Sequence, residues 1–274
     1  MPAPRGDDWW WDATWNPVGG CTRVSDGCRN CYAAQEAGTK TWPFASYSGV
    51  HVGVTRKKGT RRIFNGRLTA APDRHPTWTW PRRWPGARQP KLGSGKPSLI
   101  FVGDMSDLFH ERRPKAHIDR VCETIALSDH IGLLLTKRTR RMAEYFAAQS
   151  PRTVRQWQKK LWLGFSAENQ ECFDERLPDM LALAEAGWFV FVSIAPLIAP
   201  VTLPPALLAL GKQTWVIVAG EQGKHADIRD MNPAWALAIK NQCAVAGIPF
   251  FLKQMAKGAY IPMKLQIRQF PSVV

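Results

Sequence analysis

The sequence contains no uninterrupted run of about 18 apolar residues, so we expect no membrane-spanning helix. Residues 1–8 lack the basic segment followed by an apolar one that marks a secretory signal peptide, and we therefore expect a cytoplasmic, reducing location. Acidic residues are scarce: 22 Asp and Glu stand against 37 Lys and Arg, a formal net charge of +15. The 274 residues are 45% hydrophobic, which is enough to bury a large core and excludes a disordered chain.

Six short apolar runs predict a parallel β-sheet. They lie at residues 98–102, 131–135, 161–165, 188–193, 215–218 and 249–252. Each run is continuous rather than alternating, which is typical of strands that are covered on both faces. The intervening segments with helical spacing are 114–128, 138–149, 174–186 and 232–246. Repeated strand–helix units predict a closed or partly closed (β/α) barrel in one domain, residues 1–274. A doubly wound open sheet stays as an alternative, although no G-x-G-x-x-G follows a strand.

Polar side chains follow five of these runs, at the point where each strand ends. They are Asp104, Ser106, Asp107, Lys137, Arg138, Ser166, Glu168, Glu221 and Lys253. The carboxyl ends of parallel strands meet at one mouth of a barrel, so we expect these side chains to share a site. Internal ion pairs between strand ends are the alternative interpretation.

Positive charge is concentrated in residues 56–96, which hold twelve Lys and Arg and one acid, a net charge of +11. Tryptophans lie among these charges. Lys and Arg bind phosphates, and aromatic rings stack on unpaired or extruded bases, so this combination predicts a contact with nucleic acid. A solvated, charged surface is the alternative interpretation. The predicted contacts, in a basic and aromatic insertion at residues 42–96, are Arg61, Arg62, Arg74, Trp78, Trp80, Arg82, Arg83 and Trp84.

Three of the six cysteines lie in one glycine-containing loop, spaced Cys21-x6-Cys28-x2-Cys31. Clustered cysteines in a reducing compartment favour a metal site over disulfides. The other three are predicted to be small core residues: Cys122, Cys172 and Cys243.

Two metal centres fit the cysteine cluster. One is a zinc site completed by His51. The other is a [4Fe–4S] cluster held by three thiolates, with the fourth iron open to S-adenosylmethionine. The familiar spacing for that chemistry is C-x3-C-x2-C, with which only the second gap agrees.

Several blocks of the sequence resemble one family in the same order along the chain. The first is Trp-Trp-Asp-Ala-Thr-Trp-Asn-Pro at 10–17, followed by the cysteine loop; the later blocks lie at 105–111, 135–138, 162–170, 174–176, 215–218 and 250–254. Together they resemble a phage-associated three-Cys-motif radical-SAM family, long labelled as of unknown function and distantly similar to the spore photoproduct lyases. The basic segment 56–96 shares no pattern with it.

The resemblance implies a partial (β/α) barrel of the radical-SAM type, a [4Fe–4S] cluster on Cys21, Cys28 and Cys31, and S-adenosylmethionine as the radical source. It also implies an electron donor and a DNA substrate in a phage-infected host, where thymine hypermodification protects the DNA from restriction. Two positions depart from the family pattern: Ala195 replaces a glutamate and Gln222 a serine. Both follow strands, so the resemblance leaves the substrate and the reaction open there.

The strand-end residues receive roles within this hypothesis. Asp104, Ser106, Asp107, Arg138 and Ser166 are expected to bind S-adenosylmethionine. The expected catalytic and substrate contacts are Lys137, Glu168, Glu221 and Lys253.

Three functions are weighed. The first is a radical isomerase that rearranges an amino-acid-type substituent on a thymine of phage DNA. The second is a radical lyase for thymine lesions, which would use a hydrogen-atom donor such as Cys172. The third is a zinc-stabilised nucleic-acid-binding protein without catalysis.

Overall fold

Seven parallel strands form one curled sheet, a half-barrel, in the computed structural model, which describes residues 9–37, 50, 53–59, 61–223 and 227–272. Their spatial order follows the chain: β1 (Ala13–Trp15), β6 (Leu99–Val102), β7 (Ile131–Thr136), β8 (Leu161–Ala167), β9 (Val190–Ile194), β10 (Thr214–Ala219) and β11 (Phe250–Gln254). Two antiparallel ribbons stand apart from it, β2 (Val18–Gly19) with β5 (Thr69–Ala70) and β3 (Thr55–Lys58) with β4 (Arg61–Phe64). The prediction of an α/β fold with a parallel, barrel-like sheet is confirmed.

The sheet has one strand more than the sequence analysis predicts. β1 pairs with β6 at the edge of the sheet, with Ala13 opposite Ile100 and Trp15 opposite Val102. Three residues are too few to show a periodicity, and the partner strand lies more than eighty residues further along the chain. The position of β1 matters for function because the cysteine loop follows it.

In the described part of the chain, eight α-helices accompany the strands: α1 (Tyr32–Glu36), α2 (Trp80–Arg83), α3 (Lys115–Ala126), α4 (Thr139–Ala147), α5 (Pro151–Trp157), α6 (Gln170–Glu185), α7 (Pro205–Leu208) and α8 (Pro233–Ala246). Side-chain caps determine several of their ends. Asn169 accepts a 2.9 Å hydrogen bond from the Cys172 amide, so α6 begins four residues before the predicted segment. Asn232 caps α8 ahead of a first-turn proline, at the start of the predicted segment 232–246. None of the helices in the described residues combines the length and hydropathy that crossing a bilayer requires.

The two faces of the sheet carry different side chains. On the convex face, the helices and strands share one large hydrophobic cluster. The concave face is filled near the amino ends of the strands by a second, strongly aromatic cluster that includes Trp10, Trp162, Phe191 and Trp215. Gly164 makes room for this floor, because a Cβ there would lie 2.3 Å from the Phe191 ring.

Inward positions become polar toward the carboxyl ends of the strands. On β8 they run from Trp162 through Gly164 to Ser166, and on β9 from Phe191 to Ser193, which lies opposite Ser166. The half-barrel therefore has an apolar floor and a polar upper layer. That layer is where the predicted site residues gather.

Candidate functional site

Cys21, Cys28 and Cys31 lie in the loop between β2 and α1, and all three thiols are free and partly exposed. Burial raises the pKa of Cys21 to about 12; the charge of Asp107 and of the other two thiols adds to the rise, and Arg138 opposes it. The three thiols thus share one loop, and their joint action as a metal-binding cluster stays a prediction.

The metal assignment of this cluster stays a prediction. Within the described ranges, no group of three His, Cys, Asp or Glu side chains could hold a single metal ion as the side chains stand. His51, the fourth ligand of the zinc alternative, lies outside the described residues. The donor set of the loop itself is three sulfurs, which suits iron–sulfur ligation.

Glu168 docks the cysteine loop on the end of β8. Its side chain is completely buried, and Oε1 accepts a 2.9 Å hydrogen bond from the Gly27 amide. Lys137 and Arg176 form ion pairs with it at 2.8 and 3.1 Å. Burial alone would raise the pKa of Glu168, but Lys137, Ser25 and the Gly27 amide lower it to about 2. A charged carboxylate thus joins the loop to two cations of the barrel.

The close approach at this point explains the glycine between the cysteines. A Cβ on Gly27 would lie 2.8 Å from the Glu168 carboxyl carbon, closer than real Cβ contacts allow. A larger residue would therefore push the loop away from the strand end, and the cysteines would move with it.

Glu221 docks the same loop at the end of β10. It is 4% exposed and accepts a 3.0 Å hydrogen bond from the Asn30 amide group. Arg229 donates to it from its backbone amide at 2.8 Å and from its guanidinium, which also reaches Asp26 at 2.9 Å. Burial opposes ionisation, but Arg229 and Asn30 hold the pKa of Glu221 below its usual range. Two buried carboxylates on different strands therefore hold one loop.

Arg138 holds the beginning of the loop. Its Nη1 pairs with Asp107 at 2.8 Å, and its Nε pairs with Glu111 at 2.7 Å. Its Nη2 donates to the Thr22 hydroxyl at 2.8 Å, while Nη1 lies 3.8 Å from the Cys21 sulfur. Every guanidinium nitrogen is thus engaged within the chain.

Asp107 is engaged in the same way. It is 6% exposed and accepts hydrogen bonds from the Thr136 hydroxyl at 2.8 Å and the Phe109 amide at 2.9 Å, besides its ion pair with Arg138. Asp107 and Arg138 therefore form an internal ion pair between strand ends, which is the alternative interpretation that the sequence analysis gives for these residues. They position the cysteine loop, and neither presents a free group to a ligand as it stands.

Asp104 differs from these pairs because no cation of the described residues forms an ion pair with it. It is 6% exposed, its carboxylate accepts a hydrogen bond from Asn16, and its backbone carbonyl accepts one from the Tyr32 hydroxyl at 3.0 Å. Burial raises the pKa of Asp104 to about 6, against the hydrogen bond from Asn16 and the more distant charge of Lys253. This carboxylate is suited to accept a cationic group from a ligand.

The two predicted serines occupy different places. Ser166 lies in the polar upper layer, where it accepts a 3.2 Å hydrogen bond from Lys137 and donates to the Ala195 carbonyl at 3.3 Å. The position at which the resemblance implies a glutamate is therefore adjacent to the site. Ser106 forms an isolated bridge with Gly20 at the start of the cysteine loop.

Lys253 approaches the site from β11. Its Nζ lies 4.5 Å from the Trp9 ring, 5.4 Å from the Trp11 ring and 5.8 Å from the Tyr32 ring. Burial lowers the pKa of Lys253 to about 8, with Asp104 opposing. The lysine joins the two edges of the half-barrel, because Trp9 and Trp11 precede β1.

The predicted nucleic-acid residues are divided between the two ends of the sheet. Arg61 and Arg62 belong to the β3–β4 ribbon beside the cysteine loop, where Gln35 of α1 exchanges hydrogen bonds with the Arg62 backbone at 3.0 and 3.1 Å. Trp84 lies at the opposite end, where its carbonyl oxygen is 2.9 Å from a ring nitrogen of His130, just before β7. The described residues of the predicted insertion therefore do not form one continuous surface. Its residues 42–49, 51, 52 and 60 lie outside the described residues.

Trp78 is a core residue, which corrects its expected role in base stacking. It is 5% exposed, its ring meets Trp15 edge-on at 6.2 Å, and the Arg120 guanidinium covers it at 4.0 Å. Trp80 and Trp84 are partly buried and stack on each other at 5.2 Å. Of the predicted nucleic-acid residues, Arg74, Arg82 and Arg83 are exposed.

The three cysteines outside the loop are buried, as predicted. Cys172 belongs to the cluster on the convex face, in the first turn of α6. Burial raises its pKa, and Arg176 opposes the rise. Glu168 adds to the rise, so the thiol lies near the carboxylate that docks the cysteine loop, and its role as a hydrogen-atom donor in the lyase alternative stays a prediction.

The sequence analysis misses several residues that hold the site together, chiefly Asn30, Arg176 and Arg229. Asn30 lies between two cysteines, and Arg176 lies in a block quoted for the resemblance, so both had a sequence signal. Arg229 had none, since it reaches Glu221 from an irregular segment.

The fold and the site define an α/β half-barrel protein with a three-cysteine loop docked over the carboxyl ends of its strands. The chain belongs to the family described as Protein of unknown function (DUF5131), which it matches over residues 8–270. No curated protein and no solved structure matches the chain. The family match covers the whole sheet and the cysteine loop.

Proposed function

We propose that this protein is a radical S-adenosylmethionine enzyme that modifies a base of DNA. The observation that carries the proposal is the docking of the three-cysteine loop over the carboxyl ends of the parallel strands, through Glu168 on β8 and Glu221 after β10. Barrel enzymes place their chemistry at this end. The docked loop carries three sulfur donors beside the polar layer of the half-barrel. In this proposal, the substrate and S-adenosylmethionine would meet in that layer.

The residues that would hold a [4Fe–4S] cluster are Cys21, Cys28 and Cys31. Such a cluster, reduced by an electron donor, supplies the electron that cleaves S-adenosylmethionine. The chain contributes position and shelter: Glu168 and Glu221 keep the loop over the strands, and the aromatic floor excludes water from below. Asp104 and Ser166 are the strand-end groups proposed to meet the cofactor.

The β3–β4 ribbon supports nucleic acid as the partner. Lys57 lies directly opposite Arg62, and Lys58 directly opposite Arg61, whose guanidinium is also paired with Asp227 at 2.7 Å. Like charges facing each other across strands destabilise a ribbon, and an isolated two-stranded ribbon is already marginal. The ribbon nevertheless lies beside the cysteine loop, where Arg61 contacts Asn30 at 2.8 Å. Binding of phosphates would relieve this repulsion.

The reaction in this proposal is the rearrangement of an amino-acid-type substituent on a thymine of phage DNA, carried out in the reducing cytoplasm of the host. It is supported by the resemblance of the sequence blocks together with the ribbon. A base within a duplex would have to leave the stack to reach the strand ends.

The proposal is tested on protein purified without oxygen. We expect iron and sulfide in the chain, absorbance at roughly 400 nm, and 5′-deoxyadenosine after addition of dithionite and S-adenosylmethionine. Cys28→Ala should abolish all three signals, while the matched control Cys243→Ala, in the core, should keep them. A wild-type chain that holds one zinc and no iron after reconstitution would overturn the proposal.

A further inference from the structure

The basic residues of the β3–β4 ribbon differ in what they can contact. Those of β3 are exposed and can meet an external anion: Arg56, Lys57 and Lys58. The side chain of Arg61 on β4 is only 30% exposed, and its guanidinium pairs with Asp227 at 2.7 Å. The same guanidinium donates a 2.8 Å hydrogen bond to the side chain of Asn30. Arg61 therefore links the ribbon to the rest of the chain, whereas β3 presents the surface for a partner.

Asn30 connects this link to the cysteine loop and to a strand end. It lies between Cys28 and Cys31 and is 6% exposed. Its Oδ1 accepts the hydrogen bond from Arg61, and its Nδ2 donates to the Glu221 carboxylate at 3.0 Å. Because a guanidinium only donates and a carboxylate only accepts, one orientation of the amide satisfies both partners. A single buried side chain thus joins the ribbon, the loop and the end of β10.

A second connection lies on the other side of Cys31. Gln35 belongs to the helix α1 that follows this cysteine. Its side chain donates to the Arg62 carbonyl at 3.0 Å and accepts from the Arg62 amide at 3.1 Å. Arg62 is the neighbour of Arg61 on β4. The ribbon is therefore bonded to the chain both before and after Cys31, and a displacement of β4 either moves the loop or breaks these contacts.

The strand pairing of the ribbon itself is weak. The ribbon has only two strands, and Lys57 faces Arg62 across them. Two-stranded ribbons are marginal in water, and like charges directly opposite each other weaken them further. Phosphates bound to the exposed cations would offset the repulsion and order the ribbon. Because β4 carries both connections, an ordered ribbon is expected to order the cysteine loop as well.

We propose that duplex DNA bound to the β3–β4 ribbon orders the cysteine loop through Arg61 and Gln35, so that the loop is held more firmly over the strand ends in the DNA complex than in the free protein. The inference rests on the nucleic-acid partner of the proposed function and deepens it by naming a regulation of the same site. Arg61, which the sequence analysis assigns to direct contact with nucleic acid, is here a positioning residue. Coupling is reciprocal, so a docked loop also strengthens DNA binding by the same factor.

Amide hydrogen exchange of the full-length chain, purified without oxygen, tests the proposal without DNA and with a saturating duplex of about twenty base pairs. In wild type, DNA should slow exchange in peptides that cover residues 21–36 at least about fivefold. Arg61→Met and Gln35→Ala should each lose most of this slowing. Arg56→Met is the matched control: it also removes one cation from the ribbon, but it should keep the slowing once DNA saturates the variant.

The quantity that decides is the ratio of the loop's exchange rates without and with DNA. If Arg61 only stabilises the fold, Arg61→Met raises both rates alike and leaves the ratio at its wild-type value, which overturns the proposal. An unchanged loop in wild type saturated with DNA, or the absence of DNA binding, overturns it too. Gln35→Ala keeps every charge and decides the case in which Arg61→Met does not fold.

Iron content and release of 5′-deoxyadenosine are measured in the same preparations. Their absence together with an exchange ratio that depends on Arg61 would overturn the radical reaction and leave the coupling standing. Their presence together with equal ratios in wild type, Arg61→Met and Gln35→Ala would overturn the coupling alone.

Discussion

Glu168→Gln tests whether the buried carboxylate at the end of β8 is the anchor of the cysteine loop. The substitution keeps the shape of the side chain and an oxygen that can accept the hydrogen bond from Gly27. It removes the charge that Lys137 and Arg176 contact at 2.8 and 3.1 Å. Both cations would then lie in a poorly solvated place without their counter-ion.

Two arguments give the same magnitude for the stability that Glu168→Gln should lose. The ordinary pKa of 4.5 falls to about 2 in the folded chain, which at about 1.4 kcal/mol per pH unit corresponds to about 3 kcal/mol of stability at neutral pH. Removal of one partner from a buried ion pair costs about 3–5 kcal/mol. We therefore expect Glu168→Gln to lower the free energy of unfolding by about 3 kcal/mol at pH 7.

The pH dependence has a definite sign. Because the folded pKa lies below the unfolded one, the contribution is fully present above pH 4.5 and is lost as the pH falls toward about 2. Urea unfolding followed by tryptophan fluorescence should therefore show the largest difference between wild type and Glu168→Gln at neutral pH. The difference should shrink between pH 5 and pH 3 (about the range in which the unfolded carboxylate takes up its proton).

Glu175→Gln is the matched control on the neighbouring helix. Glu175 is 72% exposed and lies 3.9 Å from Arg176, so its loss should cost less than about 1 kcal/mol. If Glu168→Gln and Glu175→Gln unfold at the same urea concentration at pH 7, the carboxylate does not anchor the loop as argued.

Three further predictions follow from single contacts. Gly27→Ala should displace the cysteine loop and lower the iron bound per chain at least about twofold, since the new Cβ has no room; unchanged iron content contradicts this. Lys57→Thr should raise the free energy of unfolding by about 0.2–1 kcal/mol by removing the repulsion from Arg62, and should reduce the salt dependence of DNA binding by about one charge; an unchanged salt slope would remove the ribbon from the interface. Gly164→Ala should cost about 1–3 kcal/mol in urea unfolding through overlap with Phe191, and Phe191→Leu in the same chain should recover part of the loss; additive losses would argue against the aromatic floor.

The strands and their polar ends could be predicted because both are local patterns. Continuous apolar runs marked six of the seven strands, and residues such as Lys137, Glu168 and Glu221 follow those runs directly in the chain. Parallel topology then required their ends to meet. The cysteine loop was equally visible, because its three sulfurs lie within eleven residues.

The partners of these residues could not be predicted, because they come from distant parts of the chain. Glu168 contacts Gly27 across 141 positions, and Glu221 contacts Asn30 across 191. Charge density alone also could not tell which part of the basic segment is exposed: the ribbon with Lys57 is, whereas Trp78 fills the core.

Local sequence patterns thus determine which segments are strands or helices, that the strands are parallel, and which polar side chains lie at the strand ends. Three features depend on how the sheet curls and how its two edges approach each other. They are the carboxylates that hold the loop, the tryptophan that is buried and the direction of the Lys253 side chain. Those contacts join residues far apart in sequence, and their energies arise from burial and close packing, which a linear pattern does not contain.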